Sequence, residues 1–468
     1  TPHSPLDPIN ADTVARLRPA WSVEVGSQGK LETTPLVWDG TLYGTSTWSV
    51  VYAIDVRTGT LKWKWDPGPV KGGISAAGPR FCCGPVNRGV ALYKGRVYVG
   101  LLDGRLVALD LFRGATVAAM LFVNNPGSWS HVLPPFAHAE WHGCTPTDLV
   151  FPFFLFIVGT ATVLSLGRRA AQGAARATLA RHALRRGGTI VLVGWALAWF
   201  PFTLERLFRL RLPGVLPRIG VVYALGALLL LAAPAKRKAA SLAAAAALLV
   251  ALHTALLFLP GYDLSHEGNL QAAIDGAVLK GHLWRPAWGP DGSLSTLAAL
   301  ATMLTGALAG LLLTSEALAP RRRALLAAAG AAGVTGGLAA QALGLPLNKG
   351  LWTGSYVLFT SGAACLALLL ALVVTDARSG TRAFAPLVTF GTNPLLAFVL
   401  SGLLAKTLLL VKPTVDGAAV PLHRLLFEKV FSRVGDPYLG SHLQALVLLA
   451  VVWAILRFCE RRGWYWKV

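Results

Sequence analysis

Ten apolar segments follow one another through most of this 468-residue chain, at approximately 106–124, 148–166, 187–203, 216–233, 239–259, 294–313, 324–343, 352–374, 386–410 and 441–457. An α-helix rises about 1.5 Å per residue, so about 20 residues cross a bilayer's hydrocarbon core. Each segment is near that length and predicts one crossing. Charged residues make up only 14% of the chain, against roughly 25% in a soluble domain. That excludes disorder and an ordinary soluble enzyme for the larger part. The expected fold is an all-α polytopic membrane bundle of about ten transmembrane helices, over 106–468. A small β fragment of an incomplete propeller, over 1–105, precedes it.

Lys and Arg number 43 against 22 Asp and Glu, a formal charge of +21. The cations cluster in short connections between apolar segments, which is the pattern of cytoplasmic loops and not of a nucleic-acid groove. The connections 167–186, 234–238, 320–323 and 376–382, with the tail 457–468, hold 18 of them, and the opposite side holds 12. The contrast is sharpest between 125–147, which has none, and Arg168 to Arg186. This places 125–147 outside, with both ends of the membrane part in the cytoplasm. The five cysteines show no paired C-x2-C spacing, so no metal site is expected. The chain starts at Thr1, without Met or signal peptide, and its natural start is expected to lie upstream.

The first hundred residues carry strand signals. Val51–Asp55 and the run 96–100 hold β-branched and aromatic residues, and Asp39-Gly40, Thr58-Gly59 and Asp103-Gly104 mark turns. This length suffices for two or so propeller blades, too few to close a ring.

The richest stretch for chemistry is 125–147, with three His, one Glu, two Trp and no Lys or Arg. Histidine titrates near neutrality and suits general acid–base work. The plainer reading is of Trp and His at headgroup level. The second part resembles the heparan-α-glucosaminide N-acetyltransferase family over 106–468. The resemblance rests on Leu109-Asp110-Leu-Phe112-Arg113-Gly114, on Phe122-Val-Asn124, and on His138-Ala-Glu-Trp141-His-Gly143 running into Asp148-Leu-Val-Phe-Pro152. It continues through Pro213 to Ile219, Asp291 to Thr296, Leu347 to Thr360 and Phe390-Gly-Thr-Asn393.

The resemblance implies a multi-pass acetyltransferase of a bacterial-type inner membrane. Acetyl-CoA would enter from the cytoplasm, and the acetyl group would pass to an amino sugar or glycan at a periplasmic active-site loop. It makes His138 the catalytic histidine, as general base or acetyl carrier. It makes Asn124 an active-site asparagine, donating to an oxyanion or placing the acceptor. Asp148, Arg113, Arg218, Lys349, Trp352, Ser355 and Asn393 are the expected acetyl-CoA and substrate contacts. Homodimer formation is implied in the same way.

Several of these residues carry a structural alternative. Arg113 is spaced to pair with Asp110 at a helix start. Asp148 caps a helix or orients His138. Arg218 and Lys349 meet ligand oxygens or snorkel. Asn393, before Pro394, opens a helix break. His282 and Trp284 are weaker site candidates, and Gly306-x-x-x-Gly310 is a helix-packing motif. Gly289-Pro-Asp291-Gly, Pro217 and His142 depart from the expected family pattern, which bears on acceptor and donor fit.

Residues 1 to about 109 resemble pyrroloquinoline-quinone (PQQ) alcohol dehydrogenases. The matching text is Glu32-Thr-Thr-Pro-Leu, Ala53-Ile-Asp55 with Thr58-Gly59 and Trp63-Lys-Trp65, and Cys82-Cys83-Gly-Pro-Val-Asn-Arg88-Gly. By analogy Glu32, Cys82, Cys83 and Arg88 touch the quinone, and the cysteines form a vicinal disulfide. That family's calcium ligands and catalytic aspartate lie beyond this stretch, so neither PQQ nor calcium is expected, nor dehydrogenase activity. The join falls within Leu106-Val-Ala-Leu-Asp110, which suits both families and suggests a fusion, a recombinant gene or an assembly artefact. Disulfides of this kind belong to the periplasm, whereas the loop charges put residue 106 in the cytoplasm. The cysteine pair is therefore expected to stay reduced, and the fragment to be partly unfolded or aggregation-prone through its open strand edges. Two rival functions are a transporter without chemistry and a membrane-anchored remnant of a quinoprotein.

Overall fold

Alternation of β-branched and aromatic residues with tight turns folds the start of the chain into an antiparallel meander. In this computed structural model β1 (Leu36–Trp38), β2 (Thr41–Thr45), β3 (Val51–Asp55) and β4 (Leu61–Trp65) pair in chain order. The residues described are 10, 13–25, 33–47, 50–65, 89–93, 96–99, 106–171, 173–285, 289–315, 317–376 and 384–466. Asp39 and Gly40, at φ 46° and 63°, make the two-residue turn that joins β1 to β2. Positive φ at both positions matches the twist of a hairpin, which is why Asp-Gly serves there. The Asp55 carboxylate accepts from the backbone N–H of Arg57 at 2.9 Å and of Thr58 at 3.2 Å. Gly59 lies directly under the Trp21 ring, whose Nε1 donates to the Val56 carbonyl at 2.7 Å. Trp21 thus packs over this turn, whereas Trp63 and Trp65 lie exposed on β4. A second hairpin joins β5 (Val90–Tyr93) to β6 (Arg96–Val99). Glu32, Cys82, Cys83 and Arg88 lie outside the described residues.

The chain divides into two compact units, Thr1–Gly104 and Arg105–Val468. The second is helical: α1 (Leu106–Val123), α2 (Val150–Ala171), α3 (Arg176–Trp199), α4 (Val215–Ala232), α5 (Lys238–Leu257), α6 (Ser295–Thr314), α7 (Arg322–Ala342), α8 (Gly354–Asp376), α9 (Ala385–Thr392), α10 (Pro394–Leu410) and α11 (Pro437–Arg461). Among the described residues, seven helices are long and apolar enough to cross a membrane. They become eight if α9 and α10, bent by 90° at Asn393, count as one span. The expected count of about ten is not confirmed among the described residues. Of the other two segments, α3 carries Arg176, Arg181, Arg185 and Arg186 in its first half, which leaves a short apolar remainder. The other, α1, is 18 residues long and carries Asp110 and Arg113 near its start.

Small residues let these helices touch backbone to backbone. A Cβ on Gly306 of α6 would overlap the Phe156 carbonyl of α2, and one on Gly159 of α2 would overlap the Met303 carbonyl of α6. The Thr160 hydroxyl donates to the Gly306 carbonyl at 2.8 Å across the same contact. The G-x-x-x-G reading of Gly306 and Gly310 therefore holds as helix packing. Gly306→Leu is expected to destabilise the bundle by more than about 3 kcal/mol, because backbone faces backbone and nothing flexible can yield. Gly188→Leu, where an added Cβ meets nothing within 4 Å, is the control. Thermal melts in detergent check the pair, and equal melting temperatures would refute the close contact.

The long connections 124–149, 200–214, 258–294 and 343–353 gather at one end of the bundle. Backbone bonds stitch them together: Gly143 N–H to Leu347 O at 2.7 Å and Leu212 N–H to His282 O at 3.2 Å. The short connections 233–237 and 317–321, which carry Lys and Arg, lie at the opposite end.

Candidate active site

The connection after α1 is shaped by a turn, a helix cap and two clamps. Gly127 N–H donates to the Ser441 carbonyl at 2.9 Å, which fastens the loop to the start of α11. A 3-10 turn at Pro134–Phe136 sets Phe136 edge-on to Phe122 at 5.1 Å. Extended backbone then delivers His138 to Glu140. Thr145 and Asp148 form a capping box that opens the turn Pro146–Leu149 leading into α2.

Asp148 is the hub. Its Oδ2 accepts from the N–H of Ala139 at 3.0 Å, the N–H of Thr145 at 3.1 Å and the Thr145 hydroxyl at 3.0 Å. Its Oδ1 lies 2.7 Å from His138 Nδ1 and 3.2 Å from Lys349 Nζ. One carboxylate thus caps the helix and holds the imidazole, so the two roles weighed for it coexist. The Asp148 side chain is 2% exposed and the His138 ring 43%. In the tautomer with its proton on Nδ1, His138 donates to this carboxylate and presents the Nε2 lone pair, whereas Lys349 Nζ, 3.1 Å from the same Nδ1, can donate to it only in the other tautomer. No described residue bonds that Nε2.

Lys349 arrives on the connection before α8. Asn348, fully buried, donates from Nδ2 to the Trp141 carbonyl at 3.0 Å and accepts from Leu351 N–H at 2.8 Å. Trp352, at φ 56°, is buried with its Nε1 on the Thr302 hydroxyl at 3.0 Å. The Tyr356 hydroxyl reaches the backbone carbonyl of Asp148 at 2.6 Å. The two connections therefore hold each other in register.

Between them lies a cavity of about 810 Å³ whose wall includes Asn124, His138, Asp148, Lys349 and Trp352. Five of the nine residues picked from the sequence thus meet on one surface. The other four do not line it. Arg113 pairs with Asp110 and donates from Nε to the Gly391 carbonyl at 2.5 Å, tying α1 to α9. Arg218 is buried behind the wall, donating to Gly292 O at 2.8 Å and Ser295 Oγ at 2.6 Å, with its guanidinium against Trp352 at 5.3 Å. Ser355 donates to the Pro346 carbonyl at 2.8 Å. Asn393 sits at the α9–α10 break, bonded to the Trp464 carbonyl and the Trp466 N–H, both at 3.3 Å. Each bonds backbone or a neighbouring side chain, which spacing alone does not show, although Nε and Nη1 of Arg218 are buried without a described hydrogen-bond partner.

The cavity lining also includes Arg211 and His266, which sequence reasoning passed over. Arg211 pairs with Asp291 at 2.7 Å and lies over the Trp284 ring at 4.9 Å. His266 stacks on Trp141 at 3.8 Å. Trp284 lines the cavity, whereas His282 is spent on the Leu210 carbonyl at 2.7 Å. The available signal for Arg211 was the four cations in 203–218, a connection expected outside. Burial and the neighbouring His266 hold the His142 ring below the usual imidazole range. Burial, with the Asp148 charge beside it, pushes the Cys144 thiol up to about 12, so it stays a thiol. Among the described residues, no three His, Cys, Asp or Glu side chains are grouped to hold a metal.

Comparison with known proteins matches each unit separately. Residues 1–121 match a family model described as glucose/ethanol/alcohol dehydrogenase, beta-propeller domain. Residues 105–266 match one described as heparan-alpha-glucosaminide N-acetyltransferase, catalytic. The two overlap at the join, as the string at 106–110 suggested. The quinohemoprotein alcohol dehydrogenase of Comamonas testosteroni is 50% identical over 117 residues, 25% of this chain and 16% of that protein. The 1-butanol dehydrogenase (cytochrome c) of Thauera butanivorans is 45% identical over 117 residues, again 25% and 16%. The crystal structure of the Comamonas testosteroni enzyme covers 22% of this chain and 15% of that one, at 48% identity and a TM-score of 0.20. The chain spans about one sixth of the length of these curated relatives. It therefore joins a stretch similar to quinoprotein alcohol dehydrogenases to one that matches the heparan-alpha-glucosaminide N-acetyltransferase catalytic domain.

Proposed function

We propose that the helical unit is a membrane acetyltransferase that passes the acetyl group of acetyl-CoA to the amine of an amino sugar across the bilayer. The observation that carries this reading is the His138–Asp148–Lys349 cluster on a cavity shared with Asn124. An imidazole whose Nδ1–H is held by a carboxylate has its lone pair on Nε2, ready to take a proton. The acceptor ammonium gives a proton to Nε2. The freed amine nitrogen attacks the thioester carbonyl carbon, the C–S bond breaks, the CoA thiolate recovers the proton from the imidazolium, and the new amide nitrogen gives its second proton to water. Alternatively Nε2 takes the acetyl group first and hands it on. The Asn124 amide donates to the oxyanion formed on the way.

CoA is polyanionic and does not cross hydrocarbon, so only its acyl end need reach the cavity. The cation clusters at the opposite end of the bundle would hold its phosphates. This puts those clusters in the cytoplasm and the cavity outside, in a bacterial-type inner membrane, with homodimers as the resemblance implies. The residues that by resemblance would contact a quinone, Glu32, Cys82, Cys83 and Arg88, lie outside the described residues.

The test supplies labelled acetyl-CoA to the cation-rich face of oriented proteoliposomes and glucosamine to the other. Labelled N-acetylglucosamine is expected on the glucosamine side. Product on the donor side, or none at all, would overturn the reading.

A further inference from the structure

We propose that Glu140 is the carboxylate that docks the positively charged amine of the acceptor beside His138, and so selects amino sugars over neutral ones. Among the described residues, the cavity wall holds three acidic side chains: Glu140, Asp148 and Asp291. Asp148 is taken by His138, Lys349 and the helix cap. Asp291 is paired with Arg211 at 2.7 Å. Glu140 forms no ion pair or hydrogen bond with a described residue, and it is exposed to the cavity.

The charges near His138 sharpen the point. Lys349 and Asp148 cancel, 3.2 Å apart. Arg211 and Asp291 pair with each other at 2.7 Å. Arg285 also lines the cavity and is not free. The acidic side chain left without an ion pair to a described residue is Glu140, two residues from the catalytic imidazole on a backbone pinned through Ala139 N–H to Asp148 at 3.0 Å. A neutral thioester has no use for that charge, and an ammonium does. An ammonium bridging Glu140 and His138 keeps one N–H on the carboxylate while another points to Nε2. Recognition and deprotonation then act on one nitrogen. Once acetylated, the nitrogen is neutral and loses its ion pair with Glu140, which favours product release.

This inference rests on the acceptor being an amine, so its test reads binding without turnover. Isothermal titration of glucosamine, and of glucose as the uncharged comparison, is run on the full chain in detergent, as wild type, Glu140→Gln and Glu140→Asp. Glu140 is exposed, so neither substitution should disturb folding. Wild type is expected to prefer glucosamine over glucose. Glu140→Gln should weaken glucosamine about 10–100-fold, the size of one charge-assisted bond, and leave glucose unchanged, with Glu140→Asp in between. Equal glucosamine affinity in wild type and Glu140→Gln, or no preference in wild type, would overturn the assignment. Charge-selective binding without acetyl transfer in the vesicle assay would instead remove the proposed reaction and leave the docking role of Glu140 standing.

Discussion

His138→Ala is expected to lower acetyl transfer by about 10²–10⁴-fold in kcat, the usual worth of a positioned acid–base group. In activation terms that is about 3–5 kcal/mol. The ring is 43% exposed and its Nδ1 bonds one carboxylate oxygen. Its loss should therefore leave the fold intact, since Asp148 keeps its two backbone donors and its Thr145 hydroxyl bond. Acceptor KM should change little, because the ring acts on the reacting atoms. The check is a steady-state assay of purified protein beside a thermal melt. Unchanged kcat in a folded variant would remove His138 from the reaction.

Asp148→Asn is expected to cost both activity and stability. The amide keeps the shape but turns one oxygen into a donor. Either His138 Nδ1–H loses its acceptor, or the N–H groups of Ala139 and Thr145 face another donor. In the first case the ring adopts the other tautomer, with its lone pair pointing away from the cavity. A carboxylate-to-amide change behind a catalytic histidine costs on the order of 10⁴ in kcat where it has been worked out in serine proteases, and we expect 10²–10⁴ here. Removing the charge also leaves Lys349 beside the imidazole without its partner 3.2 Å away. Loss of a buried, multiply bonded carboxylate should lower stability by about 2–4 kcal/mol. Asp148→Glu, with the charge retained, should recover stability more than rate. If Asp148→Asn lowered the melting temperature without touching kcat, Asp148 would be a cap and nothing more.

Trp352 and Tyr356 show how distant segments set this geometry. Tyr356, wholly buried on α8, bonds the Asp148 carbonyl at 2.6 Å, and Trp352 packs edge-on against Phe151 at 5.2 Å. Both contacts press the connection before α8 onto the start of α2, which is how Lys349 comes to share an oxygen with His138.

Composition and spacing carried the helical, membrane-type architecture, the β meander before it and the loop that holds His138. Those depend on apolar run length, turn residues and loop charge, which are local. The glycines at 306 and 310 were legible as packing positions for the same reason. Folding in space settled the rest. Whether α3 presents a full apolar length depends on how far its arginines reach along it. Arg113, Arg218, Ser355 and Asn393 look like ligand contacts when seen as motif residues. In the folded chain their polar atoms meet carbonyls and side chains as far as 278 positions away. Arg211 and Glu140 stand in the reverse position. The chain marks only the segments that hold them, a cation-bearing connection and a histidine-rich one, and the two residues gain their roles where connections far apart in sequence close over one cavity. A polar group's role follows from which partner reaches it first, and chain order does not record that contest.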